Sequence, residues 1–346
     1  MIPVIRKLHN DGNQVLLAGS GRSGALLQAA FPGLPFFHLP SNRIRLGHRF
    51  PFLQLMLQLP VMAFSVIREH YLTRRLLEKH PADVVISDNR YGMYSRKALS
   101  VLVTHQVSPV LPPALQWCEY LLYRFLRCLI LHFDACWIPD LADPDNNLSG
   151  QLSHRYPLPR NATFTGPLSR FAGLHVPAGH KGTPRLAVVI SGPEPQGSHF
   201  ENLIRGQLTR HPMSAVIAGG LRVPRGSATL PPEVSRTEHP DDSAMAALLT
   251  HAGLVVCRSG YSSIMDLAAL GVSALLVATP GQTEQEYLAK WVYAKGWCNT
   301  VTEQNFDLSA GTQSDLTAKF PEIEEFDSHV LYRKYEEHRQ QSEQKS

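Results

Sequence analysis

The feature that most constrains this chain is an alternation, made twice over, of short β-rich apolar runs with helical patterns. In the first half the runs are VLLA at 15–18, VVIS at 84–87 and VLVT at 101–104, with helical patterns over 22–30 and 62–80. Asp134–Ile138 is a further strand candidate. In the second half the strands are Arg185–Ile190, Ala215–Ala218, Gly253–Val256 and Ala274–Val277. Helical patterns accompany them over 198–210, 243–251, 261–270 and 284–296. Strands connected through helices pair in parallel, and a parallel sheet needs helices on both faces. The chain is therefore read as α/β, with two Rossmann-like units. Its length agrees, because 346 residues exceed one average domain.

The stretch 141–171 is rich in Asp, Asn, Pro and Gly and reads as a linker. The predicted division is 1–168, then 169–326, then a charged helix and tail over 327–346. The first unit starts in an unusual way. Ile2–Leu8 reads as an amphipathic helix ahead of a strand at Gln14–Ala18, whereas an α/β unit normally opens on a strand and loop. A start just past that opening strand and its loop is the expectation.

Composition narrows the function classes. An apolar fraction of 44% and a charged fraction of 18% describe a folded globular chain. A net charge of +4 suits an anionic ligand or an acidic membrane surface, and no nucleic-acid partner is expected. The five cysteines (Cys118, Cys128, Cys136, Cys257, Cys298) show no CxxC spacing and read as reduced core thiols of a cytoplasmic protein. The 16 histidines show no HExxH-type spacing, so no metal site is expected. No signal-peptide pattern opens the chain.

Two apolar stretches bear on membranes. Residues 50–67 carry no charge, but Gln54, Gln58 and Pro60 interrupt them; residues 114–133 contain Glu119, Arg124 and Arg127 among aromatics. Both fall short of a spanning helix of about 20 apolar residues. Helices buried in the fold are one reading; peripheral docking on an anionic bilayer, with arginines at headgroup level, is the other.

The densest chemistry lies in 256–289, VCRSGYSSIMDLAALGVSALLVATPGQTEQEYLA. It reads as strand end, tight turn, helix, strand, polar loop and helix start. Loops at the carboxyl ends of neighbouring parallel strands form the crevice where such sheets bind ligands. A turn entering a helix also offers N–H groups to an anion. Arg258, Ser259 and Gly260 make the turn, and Arg258 is a candidate bidentate partner for phosphate. Asp266 is an acid in an otherwise apolar helix, suited to accept both hydroxyls of a ribose or to serve as a solvated carboxylate. Gln282, Thr283, Gln285 and Glu286 enter the next helix, where they suit sugar hydroxyls or the helix dipole.

Ser191, Gly192 and Gln196 lie after the first strand of the second half, at the usual place of a phosphate turn, although an ordinary βα loop is an equal reading. Gly219 ends the next strand, where a ligand or a simple turn needs a glycine. In the first half Asp88 follows VVIS and His105 follows VLVT. Adjacent strand ends make these two the candidates for a general base.

CRSGYSSIMDLAALG followed by TPGQTEQEYLA resembles the C-terminal donor domain of family 28 glycosyltransferases. The shared pattern is an RSG turn (Arg258-Ser259-Gly260), an acidic residue eight positions after the Arg (Asp266 for the usual Glu), and a Gln-Gln pair before an aromatic. Here that pair is Gln285-Glu286 before Tyr287. SDNRYG, THQ, GPLSRF and SGPEPQ extend the likeness to an uncharacterised bacterial group of such transferases. The resemblance implies a GT-B fold of two Rossmann-like domains facing a cleft. It implies a UDP-sugar donor as substrate, inversion at the anomeric carbon, and neither cofactor nor bound metal. Asp266 would bind ribose, and Gln285 and Glu286 the sugar. Glu286 in place of Gln leaves the donor sugar open. The acceptor would be a hydroxyl of a lipid or glycan, met at the inner face of the cytoplasmic membrane. Members usually open with a strand and a Gly-rich loop, which this first unit is expected to lack. A UDP-sugar epimerase or hydrolase on the same fold, or a non-catalytic transferase subunit, are the alternatives.

Overall fold

The computed structural model describes residues 1–40, 51–176, 183–192, 194–219, 230–238, 240–308, 320–323 and 326–343; the side chains of 22, 51–59 and 341–343 lie outside the description. The chain divides into two compact units, Met1–Leu168 with Glu325–Ser346, and Ser169–Glu324. The C-terminal helix therefore belongs to the first unit and is not a separate appendage.

The first unit opens with α1 (Ile2–Asn10), β1 (Leu17–Gly19), α2 (Gly21–Ala30), β2 (Phe36–His38) and the long α3 (Pro51–Lys79). Next come β3 (Val84–Asp88), β4 (Leu99–Val103), a 3-10 turn at Pro113–Cys118, α4 (Glu119–Ile130), β5 (Ala135–Ile138), α5 (Gln151–His154) and β6 (Ala162–Phe164). Strands β3-β4-β5-β6 form one parallel sheet in that order, and β1 pairs with β2 in a separate parallel ribbon. The stretch read as a linker thus contains α5 and β6. It was illegible because a three-residue edge strand between prolines carries no apolar run.

Period-2 alternation sorts the core of this sheet into two faces. Leu99, Val101 and Val103 of β4, with Ala135 and Trp137 of β5, pack with Val4, Leu168, Phe326 and Leu331. Leu102, Cys136 and Ile138 point the other way, against Val107, Ile130 and Phe133. Covering both faces explains why every residue of β4 and β5 is buried. The last helix, α10 (His329–Glu343), packs against β4. It is clasped to the start of the chain: Ser328 and Tyr332 donate to the Asp11 carboxylate at 2.8 and 2.9 Å, and Asn13 donates to the Tyr332 hydroxyl at 2.8 Å.

The second unit holds six parallel strands in the order β12-β11-β10-β7-β8-β9. These are β7 (Leu186–Ile190), β8 (Ala215–Gly219), β9 (Val234–Thr237), β10 (Leu254–Cys257), β11 (Leu275–Val277) and β12 (Asn299–Val301). The helices are α6 (Gln196–Arg210), α7 (Asp242–His251), α8 (Tyr261–Leu270) and α9 (Thr283–Ala294). Inward residues at alternate positions, Leu186, Val188 and Ile190 of β7 among them, pack on Phe200, Ile204 and Leu208 of α6. Successive strands run outward from β7 on one side and from β10 on the other. The order of connection therefore reverses between β7 and β10, which opens a crevice at their carboxyl ends.

The cysteines are all free, and Cys118, Cys136, Cys257 and Cys298 are buried; Cys128, expected in the core, is exposed on α4. Burial pushes the Cys136 and Cys298 thiols up to about 12, which leaves them uncharged and unreactive.

Candidate active site

The crevice of the second unit is built by the turns after β7 and β10. Gly192 stands at φ +94, which only glycine adopts without strain, and Gln196 begins α6. The Glu194 carboxylate accepts the Ser198 amide at 3.3 Å, so an acidic group occupies the N-terminus of α6. On β8, Gly219 has φ +89, and a Cβ there would lie 2.6 Å from the Ile190 carbonyl oxygen. Close packing against the end of β7 accounts for this glycine without invoking a ligand.

Arg258 departs from its expected role. Its side chain is 1% exposed. Nη1 donates to the carbonyls of Val277 and Ala278 at 3.2 Å each, and Nη2 pairs with Glu303. Its guanidinium carbon lies 4.1 Å from the centroid of the Phe200 ring. The guanidinium is thus turned into the protein, where it ties the end of β10 to β11, to the turn after β12 and to α6. Burial lowers its pKa, with Glu303 opposing. Glu303 also lies 3.3 Å from Nε2 of His199. Neither Glu303 nor His199 stood out in the sequence, because Glu303 sits in a short 3-10 turn after β12 and His199 in the first turn of α6, both far along the chain from the RSG motif.

Ser259 is fully buried, and its hydroxyl donates to the Gln285 carbonyl at 2.8 Å. Gly260 is the N-cap of α8. The expected sugar readers are themselves engaged in the loop before α9. Gln285 accepts the Thr279 amide at 3.0 Å and donates to Gln282 Oε1 at 2.6 Å. Glu286 accepts the Gly281 amide at 2.8 Å. Thr283 is the first residue of α9. These side chains shape the loop, and a sugar would have to share or replace their bonds.

Asp266 lies on α8, its side chain 21% exposed. Its Oδ1 accepts the Ser169 hydroxyl at 2.7 Å, and its Oδ2 lies 3.5 Å from Arg170 Nε. Burial pushes its carboxyl up to about 6; Arg170 and Ser169 pull against that shift, and Asp242 adds to it. A carboxyl raised in the folded state contributes stability that is full below about pH 4 and lost as pH rises through about 6. Maintaining the ionised form here is therefore a cost to the fold, as often holds for functional groups.

In the first unit Asp88 and His105 lie at the carboxyl ends of the adjacent parallel strands β3 and β4. Asp88 is exposed, and the next residue, Asn89, is the one non-glycine residue with positive φ (54°) among those described. Thr104 donates to Asn89 Oδ1 at 3.1 Å and accepts the Gln106 amide at 3.2 Å, which couples the two loops. Glu69 of α3 braces them by accepting Arg90 Nε at 2.9 Å and the Gly92 amide at 3.2 Å. This brace was also missed, since nothing local marks Glu69. Among the described residues no group of three or more His, Cys, Asp or Glu is arranged to hold a metal ion.

Comparison with known proteins bears on the fold and on the domain that carries these turns. Residues 239–344 match the glycosyltransferase family 28 C-terminal domain. Over 294 residues the chain is 26% identical to the UDP-N-acetylglucosamine–N-acetylmuramyl-(pentapeptide) pyrophosphoryl-undecaprenol N-acetylglucosamine transferase of Burkholderia ambifaria, covering 82% of this chain and 74% of that one. Among solved structures, the glycotransferase of kitacinnamycin superposes with a TM-score of 0.58 at 16% identity, over 98% of this chain and 90% of the other. A UDP-N-acetylglucosamine 2-epimerase from Listeria monocytogenes superposes with a TM-score of 0.59 at 12% identity, over 98% and 92%. The structural likenesses speak to fold alone, since one architecture hosts several chemistries. The fold is that of GT-B proteins, and the match of residues 239–344 to a family 28 C-terminal domain, with the named relatives, marks the chain as a glycosyltransferase.

Proposed function

We propose that the protein is an inverting, metal-independent transferase that moves a sugar from a UDP-sugar to a hydroxyl of a lipid or glycan. The carrying observation is the crevice at the β7–β10 reversal, with a partly buried, hydrogen-bonded carboxylate on α8, the helix that follows β10. The name of the Burkholderia relative supports a UDP-sugar as donor and a lipid-linked acceptor.

In this reading Asp266 accepts the ribose hydroxyls. The turn at Ser191, Gly192 and Gln196 and the Gly260 turn face the diphosphate. Gln282, Thr283, Gln285 and Glu286 contact the sugar. Asp88 or His105 takes the proton of the acceptor hydroxyl as its oxygen bonds to the anomeric carbon. The carbon–oxygen bond to the diphosphate breaks on the opposite face, so configuration inverts. The charge that develops on the diphosphate would be met by the N-terminus of α8, whose Gly260 cap leaves its amides without a side-chain acceptor, and this lowers the barrier without a metal.

The base is assigned by two substitutions, assayed with UDP-N-acetylglucosamine and the relative's lipid-linked acceptor. Loss of a general base costs at least ~100-fold in rate. If Asp88→Asn loses that much turnover with donor affinity kept while His105→Gln stays within a few fold, Asp88 is the base. The reverse result moves the role to His105, and full rates in both reject both. Release of free sugar or an epimerised UDP-sugar, with no transfer, would replace the transferase reading by a hydrolase or epimerase.

The acceptor side also presents an apolar surface, and a bilayer is its proposed occupant. No helix among the described residues is long and apolar enough to cross a membrane. Yet Val61, Phe64, Ile67 and Tyr71 of α3 are exposed at helical spacing, as are Trp117 of the 3-10 turn and Tyr120 and Leu121 at the start of α4. Exposed Arg68, Arg74, Arg75 and Arg124 accompany them. Apolar stripes with flanking cations suit an anionic bilayer. Replacing Trp117 and Leu121 together by Ser removes roughly 3 kcal/mol or more of buried apolar surface. The variant should lose most binding to phosphatidylglycerol vesicles in sedimentation; unchanged binding would sink the membrane assignment.

A further inference from the structure

Asp266 is the chemical centre of the proposed donor site, yet its partners come from the opposite end of the unit. Ser169 and Arg170 are the first two residues of the second unit, 97 and 96 positions before Asp266. Ser169 is 1% exposed, and its Oγ accepts the Phe171 amide at 3.1 Å. With a lone pair so engaged, its single proton is directed at Asp266 Oδ1, 2.7 Å away. Arg170 lies over the Phe171 ring at 4.7 Å, which fixes the plane of its guanidinium. That guanidinium is shared: Nε faces Asp266 Oδ2 at 3.5 Å, and Nη1 faces Asp242 Oδ1 at 3.4 Å. Asp242 begins α7, where the helix N-terminus favours its charge.

We propose that Ser169 and Arg170 are positioning residues that hold the Asp266 carboxylate oriented and ionised for the hydroxyls of the donor ribose, with Asp242 as an opposing charge that competes for Arg170. The proposal rests on reading Asp266 as the ribose acceptor. Two hydroxyl donors need an acceptor-only group, and a carboxylate is one only when ionised. Within the second unit, the charged groups acting on Asp266 are Arg170 and Asp242, and the Cys257 thiol at the end of β10 is coupled to it. Arg170 favours the ionised form and Asp242 opposes it, so their removal must move the site in opposite directions.

The test is calorimetric binding of UDP-N-acetylglucosamine across pH ~5 to ~8, alongside direct carbon-13 NMR titration of the Asp266 carboxyl without ligand. This donor is chosen because its diphosphate lacks the monoester proton that titrates near pH ~6. Wild-type affinity should fall as pH drops through about 6. Arg170→Gln should raise both midpoints by about one unit and Ser169→Ala by less, whereas Asp242→Asn should lower them and Arg170→Lys should restore most of the wild-type profile. A merely structural role would not produce shifts of opposite sign. If Asp266→Ala abolishes donor affinity while neither Arg170→Gln nor Asp242→Asn moves the midpoints, the positioning proposal is overturned and the ribose reading stands. If Asp266→Ala leaves affinity unchanged, or wild type binds no donor at any pH, the ribose reading falls and takes this inference with it.

Discussion

Asp266→Asn is expected to lose donor binding and gain stability at neutral pH. Two hydrogen bonds to a charged acceptor contribute about 1.5 kcal/mol or more each, so affinity for UDP-N-acetylglucosamine should fall roughly 100-fold. The stability gain follows from the raised carboxyl, up to about 6, which makes the ionised form unfavourable to the fold. A neutral amide of the same shape removes that penalty. Thermal midpoints of variant and wild type should therefore diverge above about pH 6 and converge near pH 4, where the wild-type carboxyl is protonated. Calorimetry and melting curves on the same preparations decide the matter. Undiminished affinity would remove Asp266 from the donor site, and a variant equally stable at both pH values would contradict the burial account.

Arg258→Ala is expected to destabilise the second unit rather than to weaken phosphate binding selectively. The substitution strips Glu303 of its partner and leaves the Val277 and Ala278 carbonyls without their donor. Breaking a buried ion pair from one side costs about 3–5 kcal/mol. Such a loss is large against the marginal stability of a domain. Arg258→Lys keeps a charge but not the planar fork, so it should recover only part of the stability. Retained stability with weakened donor binding would return Arg258 to the phosphate role that its motif suggests.

These two residues mark the boundary of what the chain alone reveals. The alternation of apolar runs was enough for the α/β class, because strand and helix periods are local properties. VVIS, VLVT and the runs ending at Ile190 and Cys257 were legible as strands, since parallel strands covered on both faces are continuously apolar. β9, with sequence VSRT, was not legible: it is an edge strand with Val234 alone buried, and its side chains carry no apolar pattern. The stretch 114–133 was legible as an apolar helical segment carrying Arg124 and Arg127, but its break into a 3-10 turn before Glu119 was not.

Asp266 stood out because an acid inside YSSIMDLAAL has no local reason to be there. The direction of Arg258 could not be read in the same way. A turn motif states which residue type is present, whereas a long side chain on a turn can reach outward or inward. Its choice depends on Glu303 and Phe200, which lie 45 residues later and 58 earlier. The sequence by itself determined the α/β class, the position of the crevice-forming turns and the candidate acids. Only the tertiary structure decided which of those side chains face the crevice, because orientation and ionisation come from partners that the fold, and not the local chain, brings within hydrogen-bond reach.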